Sequence, residues 1–204
     1  TLSLHDALPI SSTQTAPGTA SRPVLTADEA KNFLPASYFQ SLDPNAAAWT
    51  PSAISLPAQP DFVVGPAGTQ GVTHTTIQAA VDAAITRHSN RRQFIAIMPG
   101  EYAGTVYVPA APGALTLYGT GEKPIDVKIS AAIDSEMDPV SWRHQVNPGG
   151  KYMPGKPAWY MYDSCQNKRT ATIGVMCSAV FWSQNNDLQL QNLTIANNLG
   201  DSVD

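Results

Sequence analysis

Four short runs decide the fold: Phe94-Ile95-Ala96-Ile97-Met98, Thr105-Val106-Tyr107-Val108, Leu115-Thr116-Leu117-Tyr118 and Val127-Lys128-Ile129-Ser130. They start 10 to 12 residues apart, are rich in β-branched and aromatic side chains, and are separated by Pro/Gly turns. Such residues pack well on a pleated surface, so each run reads as a strand, and their spacing suits a sandwich, a barrel or a solenoid. Upstream, Phe62-Val63-Val64 ends at Gly65 and reads as a first strand. Downstream, Ala179-Val180-Phe181-Trp182, Leu188-Gln189-Leu190 and Leu193-Thr194-Ile195 resume the pattern. A tight turn at Gln191-Asn192 points Leu188, Leu190, Leu193 and Ile195 inward, and Asn192 and Asn197 suit turns whose backbone groups a side-chain amide satisfies.

One helix precedes the strands. Thr75-Thr76-Ile77-Gln78 has capping-box spacing, with Thr75 as N-cap and Gln78 at the third helical position. Ile77, Val81, Ala84, Ile85 and His88 then recur at helical spacing, and His88 ends the helix. A single amphipathic helix followed only by short strands fits a parallel β-helix whose open first coil the helix covers. A sandwich shares the periodicity and stands as the alternative. The fold class expected is therefore all-β.

Composition bounds the function. The 204 residues carry 12 Lys+Arg against 16 Asp+Glu, a formal charge of −4, which argues against a general nucleic-acid binder. No apolar run approaches the ~18 residues a membrane-spanning helix needs. Nine of the 17 prolines fall within residues 1–66, whereas Gly18 is the one glycine within residues 1–60. The composition shift places a boundary near Asp61. Residues 11–60 read as a Ser/Thr/Ala/Pro arm with Phe33, Leu34, Tyr38, Phe39 and Trp49 as anchors, and Thr26 with Glu29 caps a short helix over Thr26–Phe33. Residues 1–10, Thr-Leu-Ser-Leu-His-Asp-Ala-Leu-Pro-Ile, resemble the translation of a sequencing-adapter oligonucleotide and are set aside from the fold argument.

Candidate sites are few. Asp134, Glu136 and Asp138 alternate but lack the glycine and distal glutamate of a calcium loop, so they read as a solvated turn. His5, His74, His88 and His144 lack metal-ligand spacing, and Gly119-Thr120-Gly121 is a turn without the helix a phosphate cradle requires. No metal or cofactor is expected. The long segment 131–170 is more informative. Its part 141–170 holds Arg143, Lys151, Lys156, Lys168 and Arg169 against one acid, Asp163, interleaved with Trp142, Tyr152, Trp159, Tyr160 and Tyr162.

The chain resembles the pectinesterase (pectin methylesterase) family in three stretches that occur in the family's order. These are Thr76–Ala84; Ile97–Tyr102 followed by Val106–Val108 and Leu115–Gly121; and Ser178–Val180 followed by Leu190–Asn197. The resemblance covers about residues 61–204 and implies a right-handed parallel β-helix. The segment around Tyr160-Met161-Tyr162-Asp163-Ser164-Cys165 resembles the Gram-negative outer-membrane lipoprotein branch. The family uses one Asp as nucleophile on the methyl ester, a second as general acid and base, a Gln for the oxyanion and an Arg to orient the nucleophile. No position here matches those motifs. The resemblance therefore implies a truncated domain, inactive alone, with its catalytic residues downstream of Asp204. The family's substrate-side Thr is absent as well, its aligned place falling near Val175.

The expectation is an exported, monomeric pectinesterase acting on polygalacturonate methyl esters, joined to a membrane only through an N-terminal lipid anchor. A diverged acyl-CoA thioester hydrolase and a non-catalytic cell-envelope polysaccharide-binding β-helix are the alternatives. Lys151, Lys156, Trp159 and Arg169 are the substrate-binding candidates, through charge and ring stacking; the competing reading packs the aromatics on the flank and leaves the charges solvated. In an exported protein Cys165 and Cys177 pair and staple the long segment, with two buried free thiols as the alternative.

Overall fold

The computed structural model describes residues 24–34 and 53–199. The adapter-like residues 1–10, and Tyr38, Phe39 and Trp49 of the arm, lie outside the described residues. Chain contacts divide the protein into two units, Thr1–Ala53 and Ile54–Asp204. In the first, helix α1 (Ala27–Ala30) opens on a complete capping box: Thr26 Oγ1 accepts from Glu29 N–H while Glu29 accepts from Thr26 N–H, 2.9 Å. A 3₁₀ turn follows over Lys31–Phe33. Phe33 and Leu34 are exposed.

The second unit is built from parallel strands. β1 (Phe62–Val64), β2 (Gln93–Ile97), β5 (Leu115–Gly119) and β8 (Leu188–Gln191) form one sheet in that order. β3 (Gly100–Ala103), β6 (Val127–Ala131) and β9 (Thr194–Asn197) form a second, and β4 (Val106–Val108) and β7 (Phe181–Ser183) a third. From β2 onward the chain visits the three sheets in the same order on each circuit, and every pairing is parallel. Register stacks like on like. Phe62, Ile95, Leu117 and Leu190 form one ladder, and Tyr102, Ile129 and Ile195 another. The expected strands are present with small shifts: β7 starts at Phe181 rather than Ala179, and β9 at Thr194 rather than Leu193. Leu188 and Leu193 pack against the core, whereas Leu190 and Ile195 are 37% and 39% exposed. Their alignment is the expected one, but among the described residues no further strand lies over the last circuit.

Turns are held from one circuit to the next. Asn192, in the left-handed region at φ 50°, donates through Nδ2 to the carbonyls of Gly119 (3.1 Å) and Gly121 (2.7 Å). A Cβ on Gly119 would meet the Asn192 carbonyl at 2.1 Å, so only glycine allows this approach. Asn185 donates to Gly113 O, and Asn197 exchanges two bonds with the Ile133 backbone.

Helix α2 (Ile77–Thr86) packs on β1, β2 and β4 and buries Ile77, Ala80, Val81 and Ala84. Its N-cap is Thr76, not Thr75: Thr76 Oγ1 accepts from Ala79 N–H at 3.2 Å. From Thr76 the third helical position is Ala79, so no capping box forms, and the Gln78 amide pairs with Tyr107 instead. The helix ends at Thr86, with Arg87 as C-cap and His88 beyond it at φ 48°.

The segment 131–170, expected as a loop, carries two helices among its turns. Helix α3 (Pro139–Val146) is capped by Asp138, whose Oδ1 accepts from Val140 and Ser141 N–H at 2.9 and 3.0 Å. Helix α4 (Trp159–Gln166) follows, and Cys165 on it forms a disulfide with Cys177. Aromatic rings run in contact from Trp142 through Tyr162 (5.3 Å between centroids), Tyr152 (5.5 Å) and Tyr107 (4.7 Å) to Trp182 (5.5 Å), tying α3 and α4 to the third sheet. Trp142 Nε1 donates to Cys177 O at 2.8 Å. No helix among the described residues is long and apolar enough to cross a membrane.

Candidate functional site

An open groove of about 940 Å³ lies between α2 and residues 150–157. Its helix wall presents Thr76, Gln78, Asp82 and Arg87; the opposite wall presents Lys151, Met153 and Lys156. Each side chain arrives there for a local reason. Gln78 and Asp82 are four residues apart and share a face of α2. Gly149, Gly150 and Gly155 all have positive φ, which lets the facing chain curl back on itself.

The floor is a buried hydrogen-bond network centred on Gln78. Its Oε1 accepts from Tyr107 N–H (2.8 Å) and its Nε2 donates to Tyr107 O (2.9 Å), so one side-chain amide pairs β4 as a neighbouring strand would. Among the described residues β4 has a strand partner only on its β7 side, and Gln78 completes the other. Nε2 also donates to Asp82 Oδ1 (3.0 Å), and Tyr152 Oη donates to Gln78 Oε1 (3.2 Å) and Thr105 O (3.0 Å). Asp82 is 7% exposed, and burial raises its pKa against the lowering effects of the Gln78 bond and the Lys156 charge. Burial pushes the phenols of Tyr107 and Tyr152 well up. His74, which also lines the groove, has its pKa lowered by burial and by the Arg87 charge.

Lys151, with Thr76 and Gln78, also lines a second cavity of about 220 Å³, whose wall includes Glu101, Tyr102, Gly104 and Thr105. Its Nζ donates to Thr105 O at 2.6 Å and sits 4.8 Å from the Tyr152 ring centroid. Burial lowers its pKa to about 8.

The four sequence candidates are thus divided. Lys151 and Lys156 share the groove. Trp159 is half-buried against Tyr162, 5.7 Å between centroids, and Arg169 is exposed; neither lines the groove. Trp142, Tyr152 and Tyr162 are core residues, so they offer no face to a ligand. Tyr160 is exposed but bonds Gln184 Oε1 and Ala110 N–H. Asp134 accepts from Glu136 N–H and Asp138 caps α3, so the acidic alternation is local turn and cap chemistry. Among the described residues no group of three or more His, Cys, Asp or Glu could hold a metal ion. Gln78 and Asp82 were missed as site residues. Their signal was two polar side chains at i and i+4 on an otherwise apolar helix face.

The chain is 77% identical, over 95% of its length, to a protein of Escherichia coli (strain K12) named "Putative acyl-CoA thioester hydrolase YbhC", covering 45% of it. It is 51% identical over 92% of its length to Pectinesterase B of Dickeya dadantii (strain 3937), covering 45%. The crystal structure of Escherichia coli YbhC matches with a TM-score of 0.74 at 76% identity, over 94% of this chain and 48% of that one. That of the rice weevil pectin methyl esterase matches with a TM-score of 0.65 at 40% identity, over 92% and 48%. No family model matches. The chain spans about half the length of the curated relatives it matches.

Proposed function

We propose that this chain is the N-terminal part of a right-handed parallel β-helix hydrolase whose first substrate class is acyl thioesters. The observation that carries the reading is the gradient of identity, 77% to the thioester-hydrolase-named relative against 51% to Pectinesterase B. Val175 agrees with it. Where the pectinesterase pattern has a substrate-side Thr, this chain has an apolar residue, 82% exposed on a 3₁₀ turn. The right-handed sense rests on the general preference of parallel crossovers. Pectin methyl esters are the second reading, favoured by the pectinesterase-named relatives.

Both substrates ask for the same chemistry: attack of a carboxylate on an activated carbonyl, loss of thiolate or alkoxide, and hydrolysis of the acyl intermediate. The carboxylates for it are expected beyond Asp204, and the chain's own contribution is to set the first circuits on which later ones stack. The Cys165–Cys177 pair supports an exported protein in an oxidising compartment, with any membrane attachment through a lipid on its N-terminal side. The test is to express the gene with its downstream sequence and measure thiol release from acyl-CoA beside methanol release from methylated pectin. Thiol release alone is the expected result. Methanol release without thiol release selects the second reading, and neither activity overturns both.

A further inference from the structure

Lysine amines in this protein are handled in three ways. Lys31 and Lys128 are paired with Asp28 and Glu101. Lys123 and Lys156 are exposed. Lys151 and Lys168 reach backbone carbonyls, Lys168 donating to Ile173 O. Lys151 and Lys156 each line two cavities, but of the six lysines Lys151 alone is both half-buried and part of a cavity wall. Among the described residues no carboxylate forms an ion pair with it: Glu101, the acid nearest the smaller cavity, is 3.9 Å from Lys128, and Asp82 is bonded to Gln78. The backbone leaves room for the amine on its far side. Gly104 has φ +103°, and a Cβ there would come within 3.1 Å of Lys151 Nζ. On the groove side stands Lys156, a second cation with no ion pair among the described residues.

We propose that Lys151 is a nucleophilic amine site that takes a small aldehyde carrying a carboxylate, the carboxylate turned toward Lys156 on the same wall of the groove. The Nζ lone pair attacks the aldehyde carbon and the oxygen takes the amine proton, giving a carbinolamine. Loss of water then leaves a C=N bond to Nζ, reversibly and with no oxidant or reductant consumed. The setting favours the step in two respects. The amine is neutral in a substantial fraction at pH 7.5, since its pKa is about 8, against roughly one part in a thousand for an ordinary lysine. The open groove admits the aldehyde on one face while the Tyr152 ring and Thr105 carbonyl hold Nζ in place on the other. This site is independent of the hydrolase reading.

The test uses the unaltered chain with glyoxylate as probe and cyanoborohydride to reduce the imine, followed by peptide mapping at pH 7.5. Lys151 is expected to be carboxymethylated about tenfold faster than Lys31, Lys123, Lys128, Lys156 or Lys168. The factor is smaller than the ratio of neutral amine because nucleophilicity falls with basicity. Propanal, which lacks the carboxylate, keeps the preference for Lys151. Lys156→Met slows glyoxylate labelling of Lys151 several-fold and leaves propanal labelling unchanged. Labelling of Lys151 no faster than of Lys156 overturns the proposal. An equal effect of Lys156→Met on both probes overturns its carboxylate part.

Discussion

Replacing Gln78 with Met tests the groove floor most directly. Met matches the length of Gln and fills the same space but offers no amide. The substitution removes both bonds to the Tyr107 backbone, at 2.8 and 2.9 Å, together with those to Asp82 and Tyr152. Tyr152 Oη retains Thr105 O, and Asp82 borders the groove and gains water. The Tyr107 N–H and C=O face α2, and among the described residues no strand lies on that side of β4. Each orphaned buried backbone group costs about 1–3 kcal/mol, and the apolar replacement recovers part of that, so a net loss of about 3–4 kcal/mol is expected. In a domain of this size the loss lowers Tm by about 10 °C. The assay is urea unfolding followed by tryptophan fluorescence, with Tyr152→Phe and the double variant completing a cycle. Tyr152→Phe alone is expected to cost about 1 kcal/mol, with coupling of the same order because both side chains share one oxygen. A loss below about 1 kcal/mol for Gln78→Met would refute the view that this side chain acts as the missing neighbour of β4.

Further outcomes follow from the same geometry. Reducing the Cys165–Cys177 disulfide, or replacing both cysteines with Ser, frees a loop of 12-residue separation; the expected loss is about 3 kcal/mol on the chain-entropy view, read as a lower urea midpoint. Lys151 has a folded pKa near 8, below its unfolded value of 10.5, so the unfolded chain binds the extra proton between those values and stability rises with pH across that window. The raised phenols of Tyr107 and Tyr152 act oppositely above pH 10. Urea melts at pH 7, 9 and 10 check this, and Lys151→Met should abolish the rise. Asp82→Asn keeps the acceptor for Gln78 Nε2 and removes a buried charge; it is expected to stabilise the protein at pH 7 and leave it unchanged near pH 3. Gly119→Ala places a methyl group against the Asn192 carbonyl, and severe loss of soluble protein on expression is the expected result.

How much of this was legible depends on where the signal lay. Runs such as Phe94–Met98 and Leu115–Tyr118 announce themselves because side chains buried at nearly every position leave no polar alternation to misread. β3 was missed because Gly100, Glu101 and Ala103 are exposed and only Tyr102 is half-buried; the strand exists because β6 pairs with it. Helix α3 carried a readable start, Asp138 followed by Pro139, but its own sequence is polar on most faces and its stability comes from burying Trp142 and Val146. Helix α4 has no side-chain cap at its N-terminus, where Ala158 stands. In the site, charge alone marks Lys151 and Lys156, and both line the groove. Trp159 was chosen for its ring and went to the core flank. Gln78 looked like half of a capping box, and only tertiary packing gives it β4 as a partner.

The clasp of Asn192 on Gly119 and Gly121 has a bearing on how such a chain can evolve. Each circuit is a mould for the next, since the turn geometry of one is bonded directly to the turn of the other. Adding or deleting a residue within a strand or such a turn would throw every later circuit out of alignment at once. Sequence can lengthen freely only where the chain leaves the sheets altogether, and the largest departure among the described strands, between β6 and β7, is where α3 and α4 lie. Novelty is thus channelled to one flank, while the stacked circuits keep their size.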